Sequence, residues 1–329
     1  MKCLHSIAPL NPEFAERRYD LLITALGYEQ RARHISERFS SGCKLKVAIG
    51  FDQQQCLSFE ENRDWFAAND FTTFVTTNKA FGPTVRSFLV ENTSSLRHIR
   101  MLVDISSQSR YRIATLLTEL VSLPIDVVIH VDFVYSLAAF VDPPSQVFPN
   151  SHVGPVSEQF CGWWGEPERP SCAVVGLGYE QDRALGAVEH IEASEAWAFL
   201  PESEIAGYSQ ALRGANSTLL ESLPQKRLIP YRVQQPFDTF INLESLIYGL
   251  SQTKNPIILP MGPKVFALIS LIVGILHRDI AVWRVSASVQ ETAVDRKATG
   301  HICGLSATIS EKLSLEDSLP TAANELEIV

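Results

Sequence analysis

Two copies of one polar sequence element are the strongest candidates for chemistry in this chain. The first is Gly-Tyr-Glu-Gln-Arg at residues 27–31, and the second is Gly-Tyr-Glu-Gln at residues 178–181, followed by an arginine at position 183. Glutamate accepts hydrogen bonds from ribose or amine groups, arginine binds phosphate or clamps the glutamate, and glycine permits close approach of a ligand to the backbone. The pattern predicts these ligand-binding residues: Gly27, Tyr28, Glu29, Arg31, Gly178, Tyr179, Glu180 and Arg183. The alternative is that the Glu–Arg pair only fixes a turn and the tyrosine only packs.

A second pair of matched segments predicts an anion site in each half. Residues 260–264 read Pro-Met-Gly-Pro-Lys, which favours a helix start with Gly262 at the N-cap and Pro263 at the first helical position. Backbone N–H groups and a lysine would then meet an anion at the positive end of the helix dipole. Residues 106–110, Ser-Ser-Gln-Ser-Arg, offer hydroxyl caps and a cation in the matching place, although ordinary helix capping explains both loops equally simply. The predicted ligand-binding residues of these loops are Ser106, Ser107, Arg110, Gly262 and Lys264.

Three acidic residues are candidates for a catalytic role. Glu29 and Glu180 could act as general bases beside their arginines. Asp104 ends a strand-like run and could bind a hydroxyl group or a metal, or simply cap the following loop. Whether the protein is an enzyme stays open at this point, because no nucleophile elbow, zinc-protease motif or P-loop is present.

The sequence predicts neither a cofactor nor a metal. The second copy reads Gly176-Leu-Gly178, the start of a dinucleotide-binding fingerprint, but Gln181 replaces the third glycine and Ala25 replaces the first glycine in the other copy. The six cysteines are scattered without a C-x-x-C pair, and the histidines lack metal-ligand spacing.

The elements that position these residues also occur twice, roughly 150 residues apart. Each half has an apolar strand before its Gly-Tyr-Glu-Gln, and later a strand, a polar loop, a helix and another strand. The later series covers residues 101–131 in the first half and 256–285 in the second. This alternation predicts βαβ units and mostly parallel sheets. We therefore expect an α/β protein made of two tandem Rossmann-like domains that arose by internal duplication.

The predicted domain boundaries follow from composition. Residues 1–142 form the first Rossmann-like repeat and residues 172–305 form the second. Between them, residues 143–171 are rich in proline, glycine and tryptophan and predict an ordered connector, because Phe160, Trp163 and Trp164 would be costly to leave in water. Residues 306–329 are acidic and predict a flexible tail.

Bulk properties narrow the partners. The chain has 329 residues, 46% of them hydrophobic, which suits a globular protein with a sizeable core. A net charge of −9 argues against broad nucleic-acid binding but permits a local basic pocket. The N-terminus lacks the apolar core of a secretory signal, and the longest apolar run, residues 265–276, is too short to span a bilayer. We expect a cytoplasmic protein without membrane contact.

The loop at residues 260–264 resembles the strand–Gly-Gly-Thr-Lys–helix loop of the CRISPR-associated Rossmann-fold domains and their tandem relatives, which sense cyclic oligonucleotides in prokaryotic defence. The resemblance covers this short motif and the two-copy plan; Gly-Pro replaces Gly-Thr, and the first copy has Ser-Ser-Gln-Ser-Arg instead. No effector domain is recognisable after residue 305. The Gly-Tyr-Glu-Gln element also resembles uncharacterised bacterial proteins with a similar two-copy layout.

The leading functional prediction is binding or sensing of a nucleotide, or of another phosphorylated small molecule, in a polar cleft between two pseudo-symmetric lobes. The resemblance implies a bacterial antiviral defence system as the setting. One alternative is a hydrolase or transferase of nucleotide or nucleoside metabolism. The other is a subunit of a multi-protein defence complex, in which the duplicated loops are only structural and the partners are other protein subunits.

Overall fold

Short apolar runs form strands that alternate with helices in a computed structural model, which describes residues 2–143, 149–162, 168–286 and 293–311. The strands are β1 (Lys2–Pro9), β2 (Tyr19–Thr24), β3 (Cys43–Phe51), β4 (Thr72–Thr76), β5 (His98–Asp104), β6 (Val128–Ala138), β7 (His152–Pro155), β8 (Ser171–Gly176), β9 (Glu195–Glu202), β10 (Leu228–Arg232), β11 (Asn255–Pro260), β12 (Ala281–Ser286) and β13 (Ala298–Glu311). The α-helices are α1 (His34–Phe39), α2 (Phe59–Ala68), α3 (Asn78–Thr93), α4 (Arg110–Ser122), α5 (Arg183–Ile191), α6 (Tyr208–Ala215), α7 (Ser217–Ser222), α8 (Pro236–Ser251) and α9 (Lys264–Leu276).

The strands form two mainly parallel sheets, which makes the protein α/β as predicted. The first sheet has the order β1-β13-β6-β5-β2-β3-β4 and the second has the order β10-β9-β8-β11-β12-β7. In each sheet five parallel strands follow one scheme: counted from the first parallel strand of that half, the spatial order is third, second, first, fourth, fifth. An antiparallel strand extends each sheet beyond its fifth parallel strand, β13 in one case and β7 in the other.

Burial explains the apolar runs. Most residues of β2 and β8 are fully buried, as expected for parallel strands covered by helices on both faces. The largest apolar core runs through both halves and includes Ile23 of β2, Leu117 of α4, Ile269 of α9 and Ile258 of β11. Helix α9 is apolar around almost its whole circumference and is buried from its second residue nearly to its end. Within the described residues, no helix is both long and apolar enough to cross a membrane.

The end of the described chain differs from the sequence prediction. Residues 306–311, which we expected to begin a flexible tail, belong to β13, and this strand joins the first sheet between β1 and β6. The buried side chains of Leu305, Ala307 and Ile309 alternate with the more accessible ones of Ser306 and Thr308. This alternation of buried and accessible residues is typical of a strand, although the composition of the segment is polar. The remainder of the predicted tail, residues 312–329, lies outside the described residues.

The segment between the halves contributes to the second sheet. Strand β7 pairs with β12, and Phe160 is buried. Trp163 and Trp164, on which part of the connector prediction rested, lie outside the described residues.

Candidate functional site

A cavity of about 440 Å³ lies where the carboxyl ends of the parallel strands of both sheets meet. Both Gly-Tyr-Glu-Gln elements contribute to its wall, and so do the two loops before α4 and α9, residues 106–110 and 260–264, which we call the helix-start loops. All of the predicted ligand-binding residues line it except Ser106 and Arg183; those that do are Gly27, Tyr28, Glu29, Arg31, Ser107, Arg110, Gly178, Tyr179, Glu180, Gly262 and Lys264. The structure thus brings residues from four separate segments to one site.

A buried asparagine holds each element from below. Asn62 of α2 donates through Nδ2 to the carbonyl oxygens of Gly27 and Glu29, at 2.9 Å each. In the second half, Asn216 donates through Nδ2 to the carbonyl oxygen of Gly178 at 2.8 Å. The turn after the first parallel strand of each half is therefore fixed by the same type of contact. Sequence reasoning missed both asparagines, because neither lies near its element in the chain.

The first element contains a buried ion pair. Arg31 donates to the Glu29 carboxylate at 2.5 Å and to the carbonyl oxygen of Ser136 at 3.1 Å. Burial alone would raise the pKa of Glu29, but Arg31, Lys264 and Arg296 together hold it below its ordinary value. Glu29 is therefore ionised at neutral pH, and its lowered pKa makes it a weaker proton acceptor than an ordinary carboxylate, which favours an electrostatic role.

Arg296 connects the two elements and was not predicted. Its guanidinium contacts the Glu29 carboxylate at 3.2 Å and donates to the Tyr179 hydroxyl at 3.2 Å. Its carbonyl oxygen accepts from the backbone N–H of Arg31 at 3.1 Å. The only sequence signal was a cation in a polar stretch without periodicity, far along the chain from both elements.

The helix-start loops exchange contacts across the boundary between the halves. Arg110, the first residue of α4, donates to the carbonyl oxygens of Met261 at 2.7 Å and Gly262 at 3.0 Å, and also to that of Pro260. Lys264, the first residue of α9, donates through Nζ to the carbonyl oxygen of Ser106 at 2.9 Å. Each half thus supplies the cation that fixes the loop of the other.

The amine of Lys264 has an unusual environment. Burial lowers its pKa to about 7, and Arg31, Arg296 and Arg110 act in the same direction against the opposing effect of Glu29. Because its pKa lies near neutrality, the charge of Lys264 should respond to an anion that enters the cavity.

The predicted cap at residues 260–264 is wrong in detail. Pro263 occupies the N-cap, and α9 begins at Lys264. The N–H of Gly262 donates to the carbonyl oxygen of Gly176 at 2.9 Å, so it is not turned to a ligand. A Cβ at position 262 would collide with the backbone carbonyl of Leu177, which explains the glycine by the close packing of two loops. In the matching loop, Ser109 caps α4 through its hydroxyl, as the sequence predicted.

Ser106 and Asp104 stabilise the first loop from beneath the cavity instead of lining it. Asp104 accepts from the backbone N–H of Ser106 at 2.8 Å and from the Thr24 hydroxyl at 3.3 Å. The Ser106 hydroxyl accepts from the backbone N–H of Ser136 at 2.8 Å. Burial raises the pKa of Asp104 to about 6. Of the roles considered for Asp104, the structure shows the loop cap.

Arg183 lies outside the cavity wall. The second copy has one additional residue, Asp182, which adopts a left-handed conformation with φ 50° before α5 begins. This additional residue shifts the arginine relative to Arg31, so the two elements differ in their charged residues although an asparagine binds the glycine carbonyl of each.

Aromatic rings and an unpaired amide also line the cavity. Tyr179 and Tyr208 lie with ring centroids 5.6 Å apart, and Tyr135 also lines the wall. Gln108 is a buried residue of the cavity wall, and within the described residues neither polar atom of its side-chain amide has a hydrogen-bond partner. The sequence does not predict Gln108 as a site residue, because a glutamine in a polar loop has neither the charge nor the capping preference that indicates an anion site.

Among the described residues, no group of three or more His, Cys, Asp or Glu side chains is placed to hold a metal ion. No protein-family model matches the chain, and a search of the curated proteins finds no significant relative. Its function is therefore inferred from the chemistry of the cavity.

Proposed function

We propose that the cavity binds a nucleotide or another phosphorylated small molecule, and that the protein works as a binding or sensing module. The observation that supports this most directly is the local charge. Five basic side chains and only two carboxylates, those of Glu29 and Glu180, are among the described lining residues of a protein with net charge −9. The basic residues are Arg31, Arg110, Lys264, Arg284 and Arg296. A concave site of this sign concentrates anions from solution.

The place and the size of the cavity support the same proposal. Ligands of open parallel sheets bind beyond the carboxyl ends of the strands, at the position where the strand order reverses. A volume of about 440 Å³ falls within the range of small-molecule sites, roughly 300–1,000 Å³.

We infer that the two halves are Rossmann-like repeats from an internal duplication. Their parallel strands share one spatial order, which is that of Rossmann folds. The paired contacts of Asn62 and Asn216, and of Arg110 and Lys264, recur at matching places. An anion that draws Lys264 away from Ser106 would loosen a contact between the halves, and this supplies a means of sensing. The resemblance of residues 260–264 to CRISPR-associated domains favours prokaryotic defence as the setting, with other proteins as readers of the signal.

Isothermal calorimetry against a panel of mono-, di- and cyclic nucleotides and sugar phosphates tests the proposal. Lys264→Ala should weaken binding by about 10- to 100-fold, because it removes a charged contact from the cavity. Lys226→Ala is the matched control, since Lys226 is exposed and does not line the cavity. If the wild-type protein binds no member of the panel, the proposal is wrong.

A hydrolase or transferase is the second candidate, and the pKa of Lys264 is the observation that favours it. An amine with a pKa of about 7 in a cavity can accept a proton at neutral pH, whereas Glu29 is committed to its arginines. If this reading holds, incubation with the same panel will give a new product by mass spectrometry, and Lys264→Ala will abolish its formation while Lys226→Ala will not. If the ligand is recovered unchanged after prolonged incubation, the enzyme hypothesis is wrong and only binding remains.

A further inference from the structure

Gln108 is a polar side chain that the cavity leaves unsatisfied. Its side chain is only 1% exposed, and it belongs to the cavity wall. Neither Nε2 nor Oε1 has a hydrogen-bond partner within the described residues, and the same is true of the neighbouring Ser107 hydroxyl. Buried amides are normally paired, because losing their contacts with water without replacement is unfavourable. An amide left in this state beside a cavity indicates that a ligand completes its contacts.

The backbone around Gln108 is fixed in advance. Its own N–H donates to the carbonyl oxygen of Ile105 at 3.3 Å, and Ser109 caps the helix that follows. Arg110 then anchors the loop to the carbonyl oxygens of the other half. The amide is therefore presented by a rigid loop, and little conformational freedom would be lost when a ligand pairs with it.

Two tyrosine rings that line the same cavity as this amide are also held in place. The Tyr208 hydroxyl donates to the carbonyl oxygens of Ala138 at 3.3 Å and Ala139 at 3.2 Å. The Tyr179 hydroxyl accepts from Arg296. The two rings pack against each other and against Phe140, and both are half-buried. The ring surface that remains accessible can stack on a flat ligand, and stacking of this kind accepts any nucleobase.

We infer that the ligand is a nucleotide whose base stacks on Tyr179 or Tyr208 and pairs through its donor–acceptor edge with the amide of Gln108. This inference rests on the proposed function and narrows its ligand class. A glutamine amide offers a donor and an acceptor side by side, which is the complement of a nucleobase edge. The phosphate group then meets Arg31, Lys264 and Arg296. A sugar phosphate or inorganic phosphate would use the cations and leave the amide and the rings without a partner.

The test compares ligands with and without a base. Calorimetry should find at least one of the four ribonucleoside 5′-monophosphates bound about tenfold or more tightly than ribose 5-phosphate. Gln108→Leu should weaken the binding of that nucleotide by about 10- to 100-fold and leave the affinity for ribose 5-phosphate unchanged. The melting temperature of Gln108→Leu should not fall, because the variant removes an unsatisfied buried amide. Gln108→Glu, which retains the shape but loses the N–H donors, should weaken the nucleotide as well.

The aromatic contact has its own variant and control. Tyr208→Leu should weaken the nucleotide but not ribose 5-phosphate. Tyr248→Leu, which changes a tyrosine that is 61% exposed and does not line the cavity, should alter neither.

The possible failures are distinguishable. If ribose 5-phosphate or inorganic phosphate binds as tightly as every nucleotide, or if Gln108→Leu weakens both ligand classes equally, the inference is overturned and anion binding stands. If the wild-type protein binds neither class, the proposed function fails together with the inference.

Discussion

Lys264 has a charge that should depend on the occupant of the cavity. In the free protein burial lowers its pKa to about 7, so the amine is partly neutral at physiological pH. A bound phosphate would favour the charged form and raise this pKa. Binding must then be accompanied by proton uptake, and by linkage the affinity falls as the pH rises above about 7.

Calorimetry at pH 7.5 in two buffers with different ionisation enthalpies measures this proton uptake. The wild-type protein should take up a substantial fraction of a proton for each ligand bound. Lys264→Arg keeps the positive charge but does not titrate in this range, so it should bind without the uptake. Equal uptake by both proteins would mean that another group titrates and that Lys264 is not responsible.

At the scale of elements, the contact between the start of α4 and the loop after β11 should stabilise the whole fold. Arg110 satisfies three carbonyl oxygens of that loop. Arg110→Ala leaves them without these donors and should lower the free energy of unfolding by about 2–4 kcal/mol. Arg110→Lys should recover only part of the loss, because an ammonium group lacks the planar fork of arginine.

Urea unfolding followed by circular dichroism provides the measurement. Arg213→Ala, which removes an exposed arginine from α6, should change stability by no more than about 0.5 kcal/mol. A loss for Arg110→Ala as small as that of the control would show that the loop does not depend on this contact.

Local elements could be predicted well because their signals are local. The helix predicted to begin at Pro263 begins at Lys264, and the apolar runs before Gly27 and Gly178 form strands. The role of Gly262 could not be predicted, because it depends on the carbonyl of Leu177, which only folding brings near. The displacement of Arg183 follows from the single inserted residue Asp182, whose effect on direction depends on its left-handed backbone.

For the molecule as a whole, β13 makes the first sheet dependent on the end of the described chain. The strand lies between β1 and β6 and pairs with both. A chain that ends at Lys297 would lack this strand and expose the edge of β6, which is a site for aggregation. We expect that chain to be insoluble or to lack a cooperative melting transition, whereas a chain that ends at Glu311 should fold.

Soluble yield and thermal melting by circular dichroism distinguish these outcomes. A soluble, cooperatively melting chain that ends at Lys297 would mean that the first sheet is complete without β13.

Long-range pairing is also where prediction from the sequence stopped. The composition of residues 306–329 indicated a tail, whereas the partners that turn residues 306–311 into a strand lie in β1 and β6. The roles of Arg296 and Gln108 also depend on long-range contacts. Arg296 bridges two elements that are distant in the chain. Gln108 is unpaired because folding buries its amide away from water without a hydrogen-bond partner among the described residues. The location of the anion site could be predicted, because residues that follow parallel strands meet at one edge of a sheet and can be identified without knowledge of tertiary contacts.

The position of β13 also bears on how the protein is made. Strand β6 is synthesised roughly 170 residues before its partner strand β13 is complete, an interval of about 10–35 s at ordinary rates of translation. Throughout that interval the nascent first half has an unpaired strand edge, while the second half is still being synthesised. Slow translation of the second half would lengthen this exposure, and chaperones that shield strand edges would matter most during this interval.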